Sequence, residues 1–133
     1  MNELTIDATV ENIGKVTEFV NAHLQAFGCP HKVQAQVDIA IDELFGNIAH
    51  YAYNPEVGTA TVRVEVAEDA VVITFIDGGV PYGPVAKADP DTTLGAEERD
   101  IGGLGIYMVK KSMDDVSYEY RNGQNILRIK KKI

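Results

Sequence analysis

The sequence predicts an α+β fold, with helices on one face of a mixed, mostly antiparallel sheet. Three observations carry this. Two apolar stripes of helical period stand near the front of the chain, two strand hairpins follow, and a short glycine-led helical pattern separates the hairpins. Adjacent hairpins favour antiparallel pairing, and amphipathic helices must bury one side against the sheet they accompany.

Each element has its own signature. Leu4 and Ile6 alternate with polar neighbours and suggest a short opening strand. Val10, Ile13, Val16, Val20, Leu24 and Phe27 recur at spacings of three and four and give a first helix. Asp7 or Thr9 is placed to cap its start, and Gly28 with Pro30 to close it. Val33, Val37, Ala40, Ile41, Leu44, Ile48 and Tyr51 mark a second, longer helix, stopped by Asn54, Pro55 and Gly58. Thr59 to Val66 alternates, Ala70 to Ile76 is apolar and β-branched, and Glu68-Asp69 makes the turn between them. Leu104, Met108 and Val109 fit a third helix, with Met108 and Met113 expected in the core. Val116 to Arg121 and Ile126 to Ile129 form a second hairpin around Asn122-Gly123, a strong two-residue turn signal. Lys130 to Lys132 reads as a solvated strand end, and Asp114-Asp115 as a cap on the turn into the last hairpin.

Composition narrows the class. The 133 residues suit one domain, residues 1–133, with 45% hydrophobic and 24% charged residues. No apolar run reaches the roughly 18 residues of a membrane span. The opening MNELTIDATVEN lacks the basic-plus-apolar block of a signal peptide. Twelve basic against 20 acidic residues leave a net charge of −8, the wrong sign for general nucleic-acid binding. An acidic surface would steer a basic protein partner. The single cysteine, Cys29, has no partner for a disulfide or zinc site and reads as a small, partly buried apolar residue; a cytoplasmic location is expected.

Three constellations could carry chemistry. Glu43 and Asn47 are four residues apart on the second helix and share a side, with His50 one turn further. A carboxylate beside an amide can set a base next to a hard oxygen ligand suited to Mg²⁺, although a Glu/Asn pair is also a common solvated face. Asp77-Gly78-Gly79-Val80-Pro81 ends an apolar strand, which puts the carboxylate at the rim of the core. Asp77 could accept from an exocyclic amine such as that of adenine, with glycines allowing close approach; a plain β-turn is the alternative. Gly102-Gly103-Leu104-Gly105 precedes the third helix, where exposed N–H groups favour anions, unless it is only a hinge. A P-loop is absent, and a dinucleotide fingerprint would need glycine where Met108 stands. Between the last two constellations runs a Pro- and Gly-rich loop, Gly78 to Asp100, long enough to act as a lid.

Order and context join these signals into a nucleotide site with a lid and a bridging magnesium. The combination resembles the GHKL ATPase superfamily, which includes gyrase, Hsp90, histidine kinases and MutL. ELFGN at 43–47 looks like its N box, DGGVP at 77–81 its G1 box and GGLG at 102–105 its G2 box. Within it, the chain is most similar to the anti-sigma-factor serine/threonine kinase family, on NIAHYAY at 47–53, GGLGIYMV at 102–109, MDD at 113–115 and the final NGQNIL.

The resemblance implies a Bergerat-type two-layer sandwich with an ATP lid at about 82–101. It implies ATP and Mg²⁺ as cofactors, with Asn47 on the metal, Asp77 accepting from the adenine amine, and Gly79 admitting the base. Gly103, Leu104 and Gly105 would meet the phosphates through the backbone, and Glu43 would be the general base. Lys110 and Lys111 could face phosphate or stand in solvent. The chain departs from the family at Gly78, where a polar residue is frequent, and at Tyr82, where Phe is frequent. Lys87 and Arg99 in the lid have no firm match, and the adenine-supporting Thr of gyrase-like relatives has only Asn125 as a candidate equivalent.

The function so implied is an ATP-dependent protein serine kinase and anti-sigma factor of a partner-switching module. Its partners would be a sigma factor and a STAS-type antagonist phosphorylated on serine. A homodimer is the common family state. Two alternatives stand beside it: a non-catalytic module in which ATP gates partner binding, and a related kinase acting on a non-sigma signalling partner. No phosphoacceptor helix pair accompanies His23, His31 or His50, which argues against a complete histidine kinase.

Overall fold

Alternation in the strands and helical spacing in the front half decide which way every element faces, and the result is two layers. The computed structural model describes residues 2–52, 58–67, 69–80 and 103–133. The lid at about 82–101, with Tyr82, Lys87 and Arg99, lies outside them, as do Asn54, Pro55, Glu68 and Gly102.

The order is β1 (Glu3–Asp7), α1 (Ile13–Phe27), α2 (His31–Asn47), β2 (Thr59–Ala67), β3 (Ala70–Asp77), α3 (Gly103–Ser112), β4 (Asp115–Arg121) and β5 (Gln124–Lys132). The five strands form one sheet in the order β1-β2-β3-β5-β4, and all four pairings are antiparallel. The α+β prediction therefore holds.

A single ridge of each helix meets alternate residues of each strand. Val16, Val20 and Leu24 of α1 and Val37, Ile41 and Leu44 of α2 are fully buried. They join Val62 and Val64 of β2, Ile73 and Phe75 of β3, and Leu127 and Ile129 of β5 in one core. Each such side chain contributes about 1.5–3 kcal/mol on removal from water. Cys29 is buried at its edge, and desolvation pushes its thiol pKa up.

The ends show where local chemistry differs from expectation. Helix α1 begins after a 3-10 turn at Val10–Asn12, and Thr9 makes no side-chain cap. Asn12 instead donates its Nδ2 to the Asp7 carbonyl at 2.8 Å. Gly28 closes α1 in the left-handed conformation, φ 78°, as glycine at that position allows. Asn122 and Gly123 both have positive φ (54° and 77°), as a primed hairpin turn requires. Strand β5 runs on through Lys132, so the three lysines are a strand end as expected, with Lys130 and Lys132 exposed. Lys131 turns inward and donates its Nζ to the Ser112 carbonyl at 2.8 Å, satisfying the end of α3. The Asp114 carboxylate accepts from the Lys132 backbone N–H at 2.6 Å, so its side chain ties the last strand to the β4 entry.

Candidate functional site

Asp77 is the last residue of β3, and alternation with Val71, Ile73 and Phe75 turns it toward the helix layer. It is only 2% exposed. Its Oδ1 accepts the Gly79 N–H at 2.9 Å, closing a tight side-chain turn, and the Asn125 Nδ2 at 2.9 Å. Its Oδ2 is buried with no partner among the described residues. Burial pushes the carboxyl pKa above its ordinary value, while the Asn125 and Gly79 donors pull it back.

Asn125 faces Asp77 directly across the β3–β5 ladder and is 1% exposed. Its amide nitrogen donates a second bond to the Val80 carbonyl at 2.9 Å. Its Oδ1 accepts from the Tyr118 hydroxyl. The Asx turn and this amide together fix residues 77–80 to the sheet. Asn125, only a candidate equivalent of a family threonine from sequence, is thus bonded to the G1 carboxylate. Tyr118 carries no motif. The readable clue is register: the Asn122-Gly123 turn pairs Tyr118 with Leu127, two residues from Asn125 on the same face, within diagonal reach.

Glu43 and Asn47 stand one turn apart on α2, whose buried neighbours Leu44 and Phe45 anchor that stretch. Glu43 Oε1 is buried with no partner among the described residues. Desolvation raises the Glu43 pKa, its neighbour Asp42 adds to the rise, and a hydrogen bond from Asn47 opposes it. A solvated-face reading of this pair therefore fails for Glu43. Immediately after Asn47 the helix widens into a π-helical turn, Ile48–Ala52, a local defect often found at functional sites. His50 falls in that turn and is exposed.

Helix α3 starts at Gly103 and contains Leu104 and Gly105. It packs against α2, the helix that bears Glu43 and Asn47. Among the described side chains, Val109 of α3 and Met113 just after its end are buried in the core, four residues apart. Met108 is 56% exposed rather than in the core, because it is rotated about 100° from Val109 on the helix. Lys111 is exposed and lies 5.4 Å from the Tyr107 ring centroid, a cation–π arrangement. Two clusters thus emerge: Asp77, Gly79, Val80, Asn125 and Tyr118 joined by direct bonds, and Glu43 with Asn47 on α2.

Both clusters fit a magnesium nucleotide. The orphaned Asp77 oxygen calls for a donor such as an exocyclic amine. Asn47 offers the hard oxygen that magnesium takes alongside phosphates and water. Glu43 presents an acceptor for a proton. Among the described residues no group of three or more His, Cys, Asp or Glu could hold a metal ion by itself.

A five-stranded antiparallel sheet covered by helices, with a carboxylate at a strand end, an acid–amide helix and a glycine-led helix, is consistent with an ATPase-type α+β domain. The chain belongs to the histidine kinase-like ATPase domain family, whose model matches residues 6–131. The GHKL resemblance read from the three boxes is thereby established. The chain is also similar to the serine-protein kinase RsbW of Bacillus mycoides (strain KBAB4), 27% identical over 132 residues, covering 96% of this chain and 82% of the relative. The RsbW of Bacillus cereus (strain B4264) matches at 27% over the same shares. That of Bacillus thuringiensis subsp. konkukian (strain 97-27) matches at 26%. No helix among the described residues is long and apolar enough to cross a membrane.

Proposed function

We propose that this protein is an ATP-dependent protein serine kinase that also acts as an anti-sigma factor in a partner-switching module. The observation that carries the reading is Glu43: a carboxylate with one buried oxygen that has no partner among the described residues, one helical turn from an amide. The names of the relatives support the kinase class.

In this reading Asp77 Oδ2 accepts from the adenine amine, and the Gly79 backbone leaves room for the base. Asn47 holds magnesium, and Gly103, Leu104 and Gly105 offer backbone N–H groups to phosphates. When bound, magnesium ATP would supply the phosphoryl group, with ADP as the leaving group, and the metal would offset the charge. Glu43 accepts the proton of the partner's serine hydroxyl at its unpartnered oxygen. Its raised pKa brings it nearer the working pH, where a general base contributes roughly 10²–10⁴-fold. The acceptor serine belongs to a STAS-type antagonist. The sigma factor binds the nucleotide-loaded protein, and the working unit is a homodimer.

The test is transfer of labelled phosphate from ATP to a STAS-type antagonist, run beside Glu43→Ala. Label on a serine that disappears in the variant supports the kinase. ATP binding without transfer in the wild-type protein overturns it in favour of a nucleotide-gated binding module. Capture of a sigma factor with and without ATP tests the partner.

A further inference from the structure

Among the described strands, β4 stands at an edge of the sheet and pairs with β5 alone. An edge strand is a template for another strand, and its side chains decide which strand it accepts. Alternation puts Asp115, Ser117, Glu119 and Arg121 on one face of β4, and all four are exposed. Val116, Tyr118 and Tyr120 stand on the other face. Val116 and Tyr118 pack against the core, while Tyr120 is 46% exposed.

The hairpin turn fixes which main-chain groups face outward. Asn122 and Gly123 both have positive φ, so the turn is a primed two-residue one and Arg121 and Gln124 close it as a mutually hydrogen-bonded pair. Bonded and non-bonded pairs alternate along an antiparallel ladder. Glu119 and Ser117 therefore bond inward to β5, and the N–H and C=O groups of Val116 and Tyr120 turn away from it. A strand added at this edge must meet those two positions.

A second copy of β4 meets them. Set antiparallel about a two-fold axis at Tyr118, β4 brings Val116 opposite Tyr120 of the second copy, so outward donors face outward acceptors. The same axis sets Asp115 opposite Arg121 and Ser117 opposite Glu119, each twice. Opposite charges and aromatic with β-branched side chains are favourable cross-strand pairs. The Tyr118 hydroxyl is already engaged by Asn125, so the axis residue brings no competing polar group. The other edge lacks this match: β1 turned about Thr5 would set Glu3 against Asp7 twice, both exposed carboxylates. A chain of net charge −8 repels its own copies, which confines self-association to a surface where opposite charges meet.

We propose that β4 is a self-recognition edge, through which two copies of this chain join their sheets into one. This rests on the homodimer of the proposed function and names its surface.

The test is sedimentation equilibrium of the full chain over a wide concentration range, with folding checked by circular dichroism. Wild type is expected to dimerise. Arg121→Asp turns both opposite-charge pairs into like pairs and should raise the dimer dissociation constant about ten- to hundredfold. Adding Asp115→Arg restores the pairs in reversed order and should return the constant to within about threefold of wild type. Ser117→Cys combined with Glu119→Cys sets thiols opposite each other across the axis, and mild oxidation should yield a disulfide-linked dimer; Cys29 is buried and does not compete.

A wild-type dimer that Arg121→Asp leaves intact overturns the edge assignment, with the homodimer still standing. Weakening that the double charge variant does not reverse overturns it too, as does a dimer that fails to cross-link between positions 117 and 119. A folded wild-type chain that stays monomeric overturns the homodimer together with its surface.

Discussion

Replacing Asp77 by Asn should separate ligand binding from stability, and in opposite directions. The amide oxygen can keep the Gly79 and Asn125 donors, both at 2.9 Å. The amide NH₂ then takes the place of the unpartnered Oδ2. A charge-assisted bond to an exocyclic amine is lost, at about 1.5–3 kcal/mol, and two donors are left opposed in a buried site, at about 1–3 kcal/mol. The loss is roughly 3–5 kcal/mol, or roughly two to three and a half decades in Kd.

Without ligand the balance reverses, because the wild-type site buries a charge with one oxygen uncompensated. The folded-state pKa of Asp77 is raised above the ordinary 3.8, so the folded protein binds the proton more tightly than the unfolded chain. Stability from this group is therefore fully present below pH 3.8 and is lost as pH rises through the raised value. The variant has no such loss. Its melting temperature should match wild type at low pH and exceed it by a few degrees at pH 7. Calorimetric titration with magnesium ATP and thermal melts across pH 4–8 test both halves. Folded Asp77→Asn that binds ATP within tenfold of wild type would refute the acceptor role. A melting gap that does not widen with pH would refute the buried-charge argument.

Other substitutions probe the remaining parts. Glu43→Gln should cut phosphoryl transfer by roughly 10²–10⁴-fold with ATP affinity preserved, measured by labelled transfer and calorimetry. Asn47→Ala removes the bond that lowers the Glu43 pKa, so the Glu43 carboxyl, followed by carbon NMR, should titrate at higher pH than in wild type; magnesium should also lose its enhancement of ATP binding. Phe45→Ala empties a fully buried position on α2 and should cost about 3–5 kcal/mol in denaturant unfolding. Gly123→Ala forces a side chain into a backbone of φ 77° and should cost about 1–2 kcal/mol in the same assay.

Patterns set by backbone period were readable in the sequence. The buried ridge of α2 from Val33 to Ile48 follows helical spacing, and Asn122-Gly123 set the register of the last hairpin. The three boxes were visible as well, because glycines and strand-end acids leave local traces. What escaped depends on tertiary placement. Met108 fits an apolar pattern, yet the α3 ridge that reaches the core runs through Val109 and Met113. The π-helical turn after Asn47 has no composition of its own. Tyr118 and Asn125 gain meaning only from a pairing that spans 48 residues, Asp77 with Asn125.

That long-range pairing bears on biogenesis. β5 is made after both β3 and β4 but lies between them in the sheet. While the ribosome is still adding it, β3 shows an open edge, and a nascent chain in that condition is a substrate for chaperones and a template for aggregation. Insertion of β5 seals that edge and delivers the amide to Asp77 in the same event. Asp77 therefore gains its amide partner only once β5 has been made, and a chain translated short of β5 would carry the acid without it.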